Sequence, residues 1–239
     1  MATGNTDVAV KDLIPDESTF EIDEFEHMIL IGTTNTGKTH AFKQLLCDAK
    51  FKFNFNEFVF IGRGEQLSEI AAAFAVFNQK TKGNPEAREM KNFSFAELGT
   101  ALAYLEKFRH PKLCYMDDIF IQGNKIKKEV SNFINQAKNS NTTCVLTIHE
   151  PFGGEPEKTV RNAANWIGMF NLSKDTIARA TGYTISADNP KLLEYNARSK
   201  FKKILWFNTL THVIFDYNYL PLLSPKQQEE QSNSSDNED

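Results

Sequence analysis

The fold of this 239-residue chain is decided by the stretch Gly32-Thr33-Thr34-Asn35-Thr36-Gly37-Lys38-Thr39. The preceding run, Met28 to Ile31, is continuously apolar, which is typical of a parallel strand buried on both faces. The following residues predict a helix from Lys38 to about Ala49, because apolar residues recur there at helical spacing. Strand, glycine-containing loop and helix together predict a unit of an α/β sheet protein.

The same eight residues match the pattern GxxxxGK[ST] in full, and they lie between a strand and a helix, where that pattern binds phosphate. Backbone N–H groups of the loop and the positive end of the helix would hold the β-phosphate. Lys38 would reach the β and γ oxygens, and Thr39 would ligate Mg²⁺. We therefore predict that Gly32 to Thr39 bind ATP and Mg²⁺.

Two further strands end in polar residues that fit the same site. Lys112 to Asp118 is an apolar strand with two terminal carboxylates, of which Asp117 is the predicted Mg²⁺ residue and Asp118 the predicted catalytic base. Thr142 to Ile148 is followed by His149, which is predicted to contact the γ-phosphate or its attacking water. The alternatives are a carboxylate pair that caps the next helix and a simple loop histidine.

The rest of the chain continues the alternation of strands and helices. Further strands are predicted at Phe58 to Ile61 and Trp166 to Phe170, and helices at 67–77, 95–108, 126–137 and 160–164. Residues 204–207 and 212–215 resemble two strands joined by a tight turn. These elements predict an α/β fold with a central, mostly parallel sheet, helices on both faces and an antiparallel hairpin at one edge.

The charge distribution divides the chain into three parts. Residues 1–26 carry eight acidic residues and one lysine, and residues 224–239 carry five acidic residues and one lysine. The first is predicted to be an acidic segment, in which Phe20, Ile22 and Phe25 form an edge strand or lie on the surface, and the second a disordered tail. Residues 27–223 form the predicted domain, in which an excess of basic residues favours a nucleic-acid partner or reflects lysines on solvated helices.

The remaining composition excludes other classes. The three cysteines lie inside apolar runs without metal-ligand spacing, which favours a reducing compartment over a disulfide scaffold or a zinc site. No segment approaches the roughly 20 apolar residues of a membrane span. We therefore predict a soluble intracellular protein.

The order of these motifs resembles the FtsK–HerA superfamily, and within it the viral genome-packaging ATPases of the poxvirus type. The resemblance covers roughly residues 27–170 and rests on GTTNTGKT, LCYMDDIF, VLTIHEPF and EKTVRNAANWIGMF. His149 stands where the family more often has glutamine. Members of this family act as ring-shaped oligomers that pump double-stranded DNA into a preformed capsid.

The resemblance implies further assignments. Double-stranded DNA, copies of this chain and capsid or portal proteins would be the partners, inside the host cell in cytoplasm or nucleus, and transiently at the virion vertex. Arg161 would complete the site of a neighbouring subunit, with four rivals at Arg63, Arg109, Arg179 and Arg198. Residues 123–128 (GNKIKK) would be a loop that touches DNA phosphates, or else a solvated helix start.

Two other functions fit the same loop. A superfamily 3 replicative helicase is expected to carry a larger domain upstream, and 31 residues precede Gly32 here. A nucleotide-gated binding or scaffolding protein would bind ATP with little turnover, so steady-state hydrolysis separates it from a motor. A small-molecule kinase would need a basic lid for its acceptor.

Overall fold

The computed structural model describes residues 20, 22, 26–47, 55, 57–62, 70, 91–118, 123–149, 155–200 and 203–223. The strands in these residues are β1 (Met28–Ile31), β2 (Glu57–Ile61), β3 (Lys91–Phe95), β4 (Lys112–Met116), β5 (Thr142–Ile148), β6 (Trp166–Met169), β7 (Leu205–Asn208), β8 (Ile214–Phe215) and β9 (Pro221–Leu223). The helices are α1 (Lys38–Cys47), α2 (Leu98–Lys107), α3 (Asn124–Gln136), α4 (Glu155–Ala163), α5 (Lys174–Ala180) and α6 (Pro190–Ala197), with a 3₁₀ turn at Ala137–Ser140.

The described strands form one sheet in the order β3-β2-β4-β5-β1-β6-β7-β8-β9. The first six in this order are mutually parallel, whereas β7, β8 and β9 continue the sheet in antiparallel pairs. The parallel strands consequently all end at one side of the sheet, which we call the carboxyl edge, and begin at the opposite amino edge. Ligands of open α/β sheets bind outside the carboxyl ends of the strands.

Every parallel strand except β3 buries both faces. In β1, for example, Ile29 and Ile31 belong to one core cluster, whereas Met28 and Leu30 belong to the other. Among the described helices, α1 packs in the second cluster, through Ala41, Phe42, Leu45 and Leu46, and α2 to α6 contribute to the first. Continuous apolar runs such as Met28–Ile31 follow from this arrangement, because each strand lies between two apolar layers.

The predicted α/β architecture is confirmed, with differences in individual elements. Phe95, the first residue of a predicted helix, instead ends β3, an edge strand in which Phe93 and Phe95 are half-buried. Four strands or α-helices were not predicted, namely β3, α5, α6 and β9. The C-terminal hairpin is present as β7 and β8, and β9 lies outside it in the sheet.

Other boundaries differ by a few residues. The strand predicted to reach Asp118 ends at Met116, and α4 begins before the predicted Val160. The predicted helix at 67–77 lies outside the described residues except for Ile70, which is helical and buried. The tail at 224–239 also lies outside them.

Two residues of the acidic N-terminal segment are core residues. Phe20 and Ile22 are 1% and 0% exposed, so neither lies on the surface. The Phe20 ring stacks on Tyr219 with 4.5 Å between centroids and contacts Trp166 at 4.7 Å. The alternation of Phe20 and Ile22 therefore marks residues that cover the sheet on the face of α1.

His27 fixes the amino edge beside β1. Its Nδ1 accepts the Cys144 N–H at 3.1 Å, and its backbone carbonyl accepts the N–H groups of Asn165 and Trp166. The ring is 2% exposed, and burial lowers its pKa from 6.5 to about 4. The imidazole is therefore neutral in the folded protein at pH 7.

This burial predicts acid sensitivity. The unfolded state binds a proton at His27 more tightly than the folded state, so the free energy of unfolding decreases as the pH falls from 6.5 to about 4. The loss amounts to about 3 kcal/mol. Urea unfolding at pH 7 and 4.5 measures it. His27→Asn, which keeps an acceptor for Cys144, should flatten that dependence, and an unchanged slope in the variant would contradict the assignment.

Candidate functional site

The loop between β1 and α1 has the backbone shape that its sequence requires. Asn35 and Gly37 have positive φ angles of 63° and 99°, a conformation that suits asparagine and glycine. A Cβ atom on Gly32 would lie 2.6 Å from Thr36 Oγ1 and 2.9 Å from Phe170 Cβ, so only glycine fits there without displacement. The first N–H groups of α1 have no acceptors within the helix and lie at this loop. An anion can therefore bind them.

Lys38, the first residue of α1, is 7% exposed and folds over the loop. Its ammonium donates to the carbonyl oxygens of Gly32 at 2.8 Å and Thr33 at 3.1 Å. Burial lowers its pKa, and the nearby Asp118 and Asp117 carboxylates oppose that shift. The loop thus holds a cation beside the N-terminus of α1, where both attract phosphate.

The predicted Mg²⁺ residues lie on either side of one hydroxyl. The Tyr115 OH donates to Asp117 Oδ1 at 3.1 Å and lies 3.4 Å from Thr39 Oγ1. Asp117 is 7% exposed, and its N–H donates to the Ile61 carbonyl, which fixes the backbone at the end of β4. The structure therefore brings Thr39 and Asp117 together at the carboxyl edge.

These two residues fit a magnesium ion. Burial raises the pKa of Asp117, the Asp118 carboxylate adds to that shift, and the hydrogen bond from Thr147 opposes it. A divalent cation would offset this charge cost, since carboxylate and hydroxyl oxygens are hard ligands. The described residues contain no group of three or more His, Cys, Asp or Glu side chains placed for a metal. Thr39 and Asp117 supply two oxygen ligands, and Mg²⁺ commonly takes its other ligands from phosphate and water oxygens.

Asp118 and His149 form the second half of the site. His149 Nε2 lies 2.5 Å from Asp118 Oδ2, and His149 Nδ1 lies 3.4 Å from Lys38 Nζ and 3.5 Å from Thr34 Oγ1. Asp118 has a φ angle of 48°, which turns the chain immediately after Asp117. His149 therefore bridges the loop between β1 and α1 and the predicted catalytic base.

Thr147 positions both carboxylates. Its hydroxyl donates to Asp117 Oδ1 at 2.8 Å, accepts the Asp118 N–H at 2.9 Å and lies 3.2 Å from Asp118 Oδ1. Thr147 lies near the end of β5, and His149 directly follows that strand. In the sheet, β5 lies between β1 and β4. The strand order thereby places the loop, the carboxylates and the histidine side by side.

Arg161 does not join this cluster within the chain. It lies in the last turn of α4, close to the amino edge, and its guanidinium donates to the Arg179 carbonyl at 2.9 Å and to Asn162 Oδ1 at 3.1 Å. Among its rivals, Arg63 lies outside the described residues. Arg198 is exposed and adjoins Ser199, whose hydroxyl donates to the carbonyl of Met169, the last residue of β6. Arg198 is therefore at the carboxyl edge.

The basic stretch 123–128 begins α3. Gly123 has a φ angle of 103°, and Lys125 is 90% exposed with Glu129 at 4.0 Å. Lys128 is also exposed. Both ammonium groups are accessible to solvent, as a surface that binds phosphates requires.

Tyr115 was not predicted as a site residue. It lies inside an apolar strand and resembles a core aromatic, and it is in fact fully buried. Burial, with the Asp117 carboxylate, raises its pKa well above the ordinary value, so its hydroxyl stays protonated and can donate. Alternation along β4 places Tyr115 and Asp117 on the same face, which is the signal that could have found it.

Comparison with known proteins addresses the fold. No protein-family model matches the chain, and no curated protein matches it in sequence. Among solved structures, the genome packaging NTPase B204 from Sulfolobus turreted icosahedral virus 2 in complex with AMP has a TM-score of 0.52 and 12% identity, covering 82% of this chain and 98% of that chain. The DNA-packaging ATPase B204 from Sulfolobus turreted icosahedral virus has a TM-score of 0.51 at the same identity and coverage.

The fold is that of the P-loop NTPases. The AMPPCP complex of the virus 2 protein gives a similar result, with a TM-score of 0.51 and 12% identity over 82% of this chain. The predicted likeness to viral packaging ATPases is confirmed at the level of the fold. No helix within the described residues is long and apolar enough to span a membrane.

Proposed function

We propose that this P-loop protein is an ATP-hydrolysing motor that moves double-stranded viral DNA into a preformed capsid. One observation carries the catalytic part of this proposal: His149 links Lys38 to Asp118, beside the Thr39 and Asp117 pair. A phosphate-binding cation, a carboxylate base and two oxygen ligands for a metal thus share one end of the sheet. These groups are what phosphoryl transfer to water needs.

In this proposal the loop 32–37 and the N-terminus of α1 bind the β-phosphate, and Lys38 binds β and γ oxygens. Thr39 and Asp117 would hold Mg²⁺, which neutralises charge on the phosphoryl oxygens when bound. To reach a phosphate, the Lys38 ammonium exchanges its contacts with Gly32 and Thr33 for phosphate oxygens. The buried position of Lys38 strengthens that interaction relative to one in water.

Asp118 accepts a proton from the attacking water. The water oxygen bonds to the γ-phosphorus as the bond to the bridging oxygen breaks, and ADP leaves with that electron pair. One Asp118 oxygen faces His149 and the other faces Thr147, so its orientation is fixed before substrate binds. His149, between Asp118 and the loop, is placed to respond to the γ-phosphate.

DNA is proposed as the translocated polymer on three grounds. Residues 27–223 have 25 Lys or Arg and 18 Asp or Glu, a basic excess that favours a polyanion. Lys125 and Lys128 are exposed at the start of α3, shortly after the Asp118 base in the chain. Contacts between these lysines and DNA phosphates can therefore change when the nucleotide at Asp118 changes. B204, which has a similar fold, is a DNA-packaging ATPase.

A strand-displacement experiment tests movement along DNA. A long duplex carries a fluorescent third strand bound as a triplex, and a motor that travels along the duplex removes that strand. We expect ATP-dependent release from duplex DNA by the native protein and none by Lys38→Ala. Capsid or portal protein is included in a second arm, because the motor acts there. Hydrolysis without release in both arms would contradict the translocase assignment.

The assembly is proposed to be a ring in which Arg161 acts on the neighbouring site. Arg161→Ala should then spare ATP binding and slow hydrolysis by about 10³-fold. Mixing it with Lys38→Ala subunits should restore part of the activity. At a mixed interface, the Arg161→Ala subunit supplies Lys38 and the Lys38→Ala subunit supplies Arg161, which together complete one site. Arg198→Ala is the matched rival at the carboxyl edge. Rescue with Arg198→Ala and none with Arg161→Ala would transfer the role to Arg198.

A nucleotide-dependent switch with little turnover is the second candidate. The contact of 2.5 Å between His149 and Asp118 favours it, because that contact occupies one oxygen of the proposed base. A protein that keeps this contact with ATP bound would report the nucleotide without hydrolysing it. Steady-state turnover distinguishes the two.

A further inference from the structure

A basic loop follows α6 at the carboxyl edge of the sheet. Between Glu194 and Asp216 the sequence has four lysine or arginine residues and no acidic residue. Arg198 is paired with Glu194 at 2.9 Å, and Asp216 is 6% exposed and accepts backbone N–H groups. Lys200 and Lys203 are exposed and have no ion pair within the described part of the chain. These two lysines therefore carry positive charge that their described neighbours leave uncompensated.

The two lysines are held close together. The Lys203 N–H donates to the Lys200 carbonyl at 3.0 Å, a bond that closes a turn and keeps the two Cα atoms within about 7 Å. The Lys203 ammonium lies 5.3 Å from the centroid of the Tyr217 ring, which orients this side chain without neutralising it. The loop thus presents two cations at one place on the surface.

Buried hydrogen bonds fasten this loop to the residues that end and follow β6. Ser199 is fully buried and donates to the Met169 carbonyl at 2.7 Å. Asn196, which is 5% exposed, accepts the Leu172 N–H at 2.9 Å and donates to the Leu172 carbonyl at 2.7 Å. Two buried polar side chains next to Lys200 therefore bind the backbone of one short segment, residues 169–172.

The same segment contacts the loop between β1 and α1. The Phe170 N–H donates to the carbonyl of Ile31, the last residue of β1, at 3.0 Å. Gly32, the next residue, lies so close to Phe170 that a Cβ atom on the glycine would be 2.9 Å from the Phe170 Cβ. A continuous set of backbone contacts thus connects Gly32 to Lys200.

We propose that Lys200 and Lys203 bind the phosphate backbone of duplex DNA at the carboxyl edge. This inference rests on the proposed function and adds a DNA contact on the other side of the β1–α1 loop from Lys125 and Lys128. Those residues follow β4, whereas the new pair lies beside β6 and β7, with β1 between them in the sheet. At about 4.8 Å per strand, β4 and β7 are about 19 Å apart, so one duplex can reach both groups.

A nucleic-acid backbone is the partner that suits these lysines. Duplex DNA carries one charge per about 1.7 Å of its axis, so two cations within about 7 Å of each other can each meet a phosphate. Lysine ammonium groups offer donors and no acceptor, which fits phosphate contacts that position DNA without reading its sequence. A motor that moves along any sequence requires contacts of this kind.

Binding of a mixed-sequence duplex to the full chain, measured by fluorescence anisotropy at several salt concentrations, tests the inference. Lys200→Gln/Lys203→Gln removes both charges and should bind about 10- to 100-fold more weakly at about 0.1 M salt. The slope of log K against log salt should fall by roughly two, one for each lysine. Lys200→Arg/Lys203→Arg keeps both cations and should bind like the native chain.

The control removes the same charge at the amino edge. Lys107→Gln/Lys138→Gln changes two exposed lysines there and should leave DNA affinity unchanged. Equal weakening in this control would attribute the effect to net charge and overturn the inference. Native DNA affinity in Lys200→Gln/Lys203→Gln would overturn it as well, and an altered sedimentation coefficient in that case would assign the two lysines to a contact with another protein chain.

The outcomes separate this inference from the proposed function. DNA binding that needs the two lysines, without ATP-dependent release of the triplex strand, would support the DNA contact and contradict the motor. Native DNA affinity and strand release in Lys200→Gln/Lys203→Gln would overturn the contact and support the motor. A native chain that binds no duplex at low salt would overturn the contact, and strand release in the presence of capsid protein would still decide the motor.

Discussion

Lys38→Ala is expected to abolish turnover, with a loss of at least about 10²- to 10³-fold, the cost of removing one preorganised group that stabilises transition-state charge. The ammonium that binds the loop carbonyls in the structure is the same group that would contact β and γ oxygens. Nucleotide affinity should fall with it. A coupled assay of phosphate release and calorimetry with Mg·ATP measure both effects.

The fold should survive this change. Lys38 is buried and burial lowers its pKa, so Lys38→Ala removes a charge that is costly to bury. Among the described residues, the change also breaks no ion pair shorter than 4 Å. Lys107→Ala is the matched control, because Lys107 is exposed in the last turn of α2, at the amino edge. Native turnover in Lys38→Ala would show that the loop is not the catalytic phosphate site.

Asp118→Asn is expected to bind ATP normally and to lose hydrolysis by about 10²- to 10⁴-fold, the usual contribution of a general base. Asparagine has nearly the same size and tolerates the positive φ angle of 48° at this position. It cannot accept the proton of the attacking water. Single-turnover hydrolysis with protein in excess separates this chemical step from ATP binding.

Asp188→Asn provides the control for this variant. Asp188 is 79% exposed and pairs with Lys174, so the same carboxylate-to-amide change occurs away from the site. It should hydrolyse ATP like the native protein. Asp118→Asn with native single-turnover rates would remove Asp118 from the role of base.

The central part of the fold was predictable because local and tertiary signals agree there. β1, the loop and α1 were located correctly, since a strand buried on both faces has a continuous apolar sequence and the loop pattern requires a helix directly after it. β4 and β5 carry the same signal. The polar residues that follow these two strands were expected to lie together, because the carboxyl ends of parallel strands share one edge of the sheet.

Edge elements were less predictable. β3 is half-exposed, and its two alternating phenylalanines, Phe93 and Phe95, are a weaker signal than the apolar helical pattern of the next residues. α6 did carry a local signal that was not used: Asn189 caps it by accepting the N–H groups of Lys191 and Leu192, with Pro190 at its first position.

The site shows the same division. Lys38, Asp117, Asp118 and His149 are predictable from the strand ends and the loop, and the structure brings them together. The positioning hydroxyl of Tyr115 was not predicted, because a buried tyrosine and a core phenylalanine occupy the same place in an apolar pattern. A residue that acts across a subunit interface, such as the proposed Arg161, depends on an assembly that a single chain does not specify.

ATP hydrolysis by the purified chain, with and without long double-stranded DNA and beside Lys38→Ala, tests the proposed motor most directly. We expect Mg²⁺-dependent turnover that DNA stimulates in the native protein and that Lys38→Ala lacks under both conditions. Nucleotide binding without turnover, with DNA and capsid protein both present, would contradict the motor and leave the nucleotide-dependent switch.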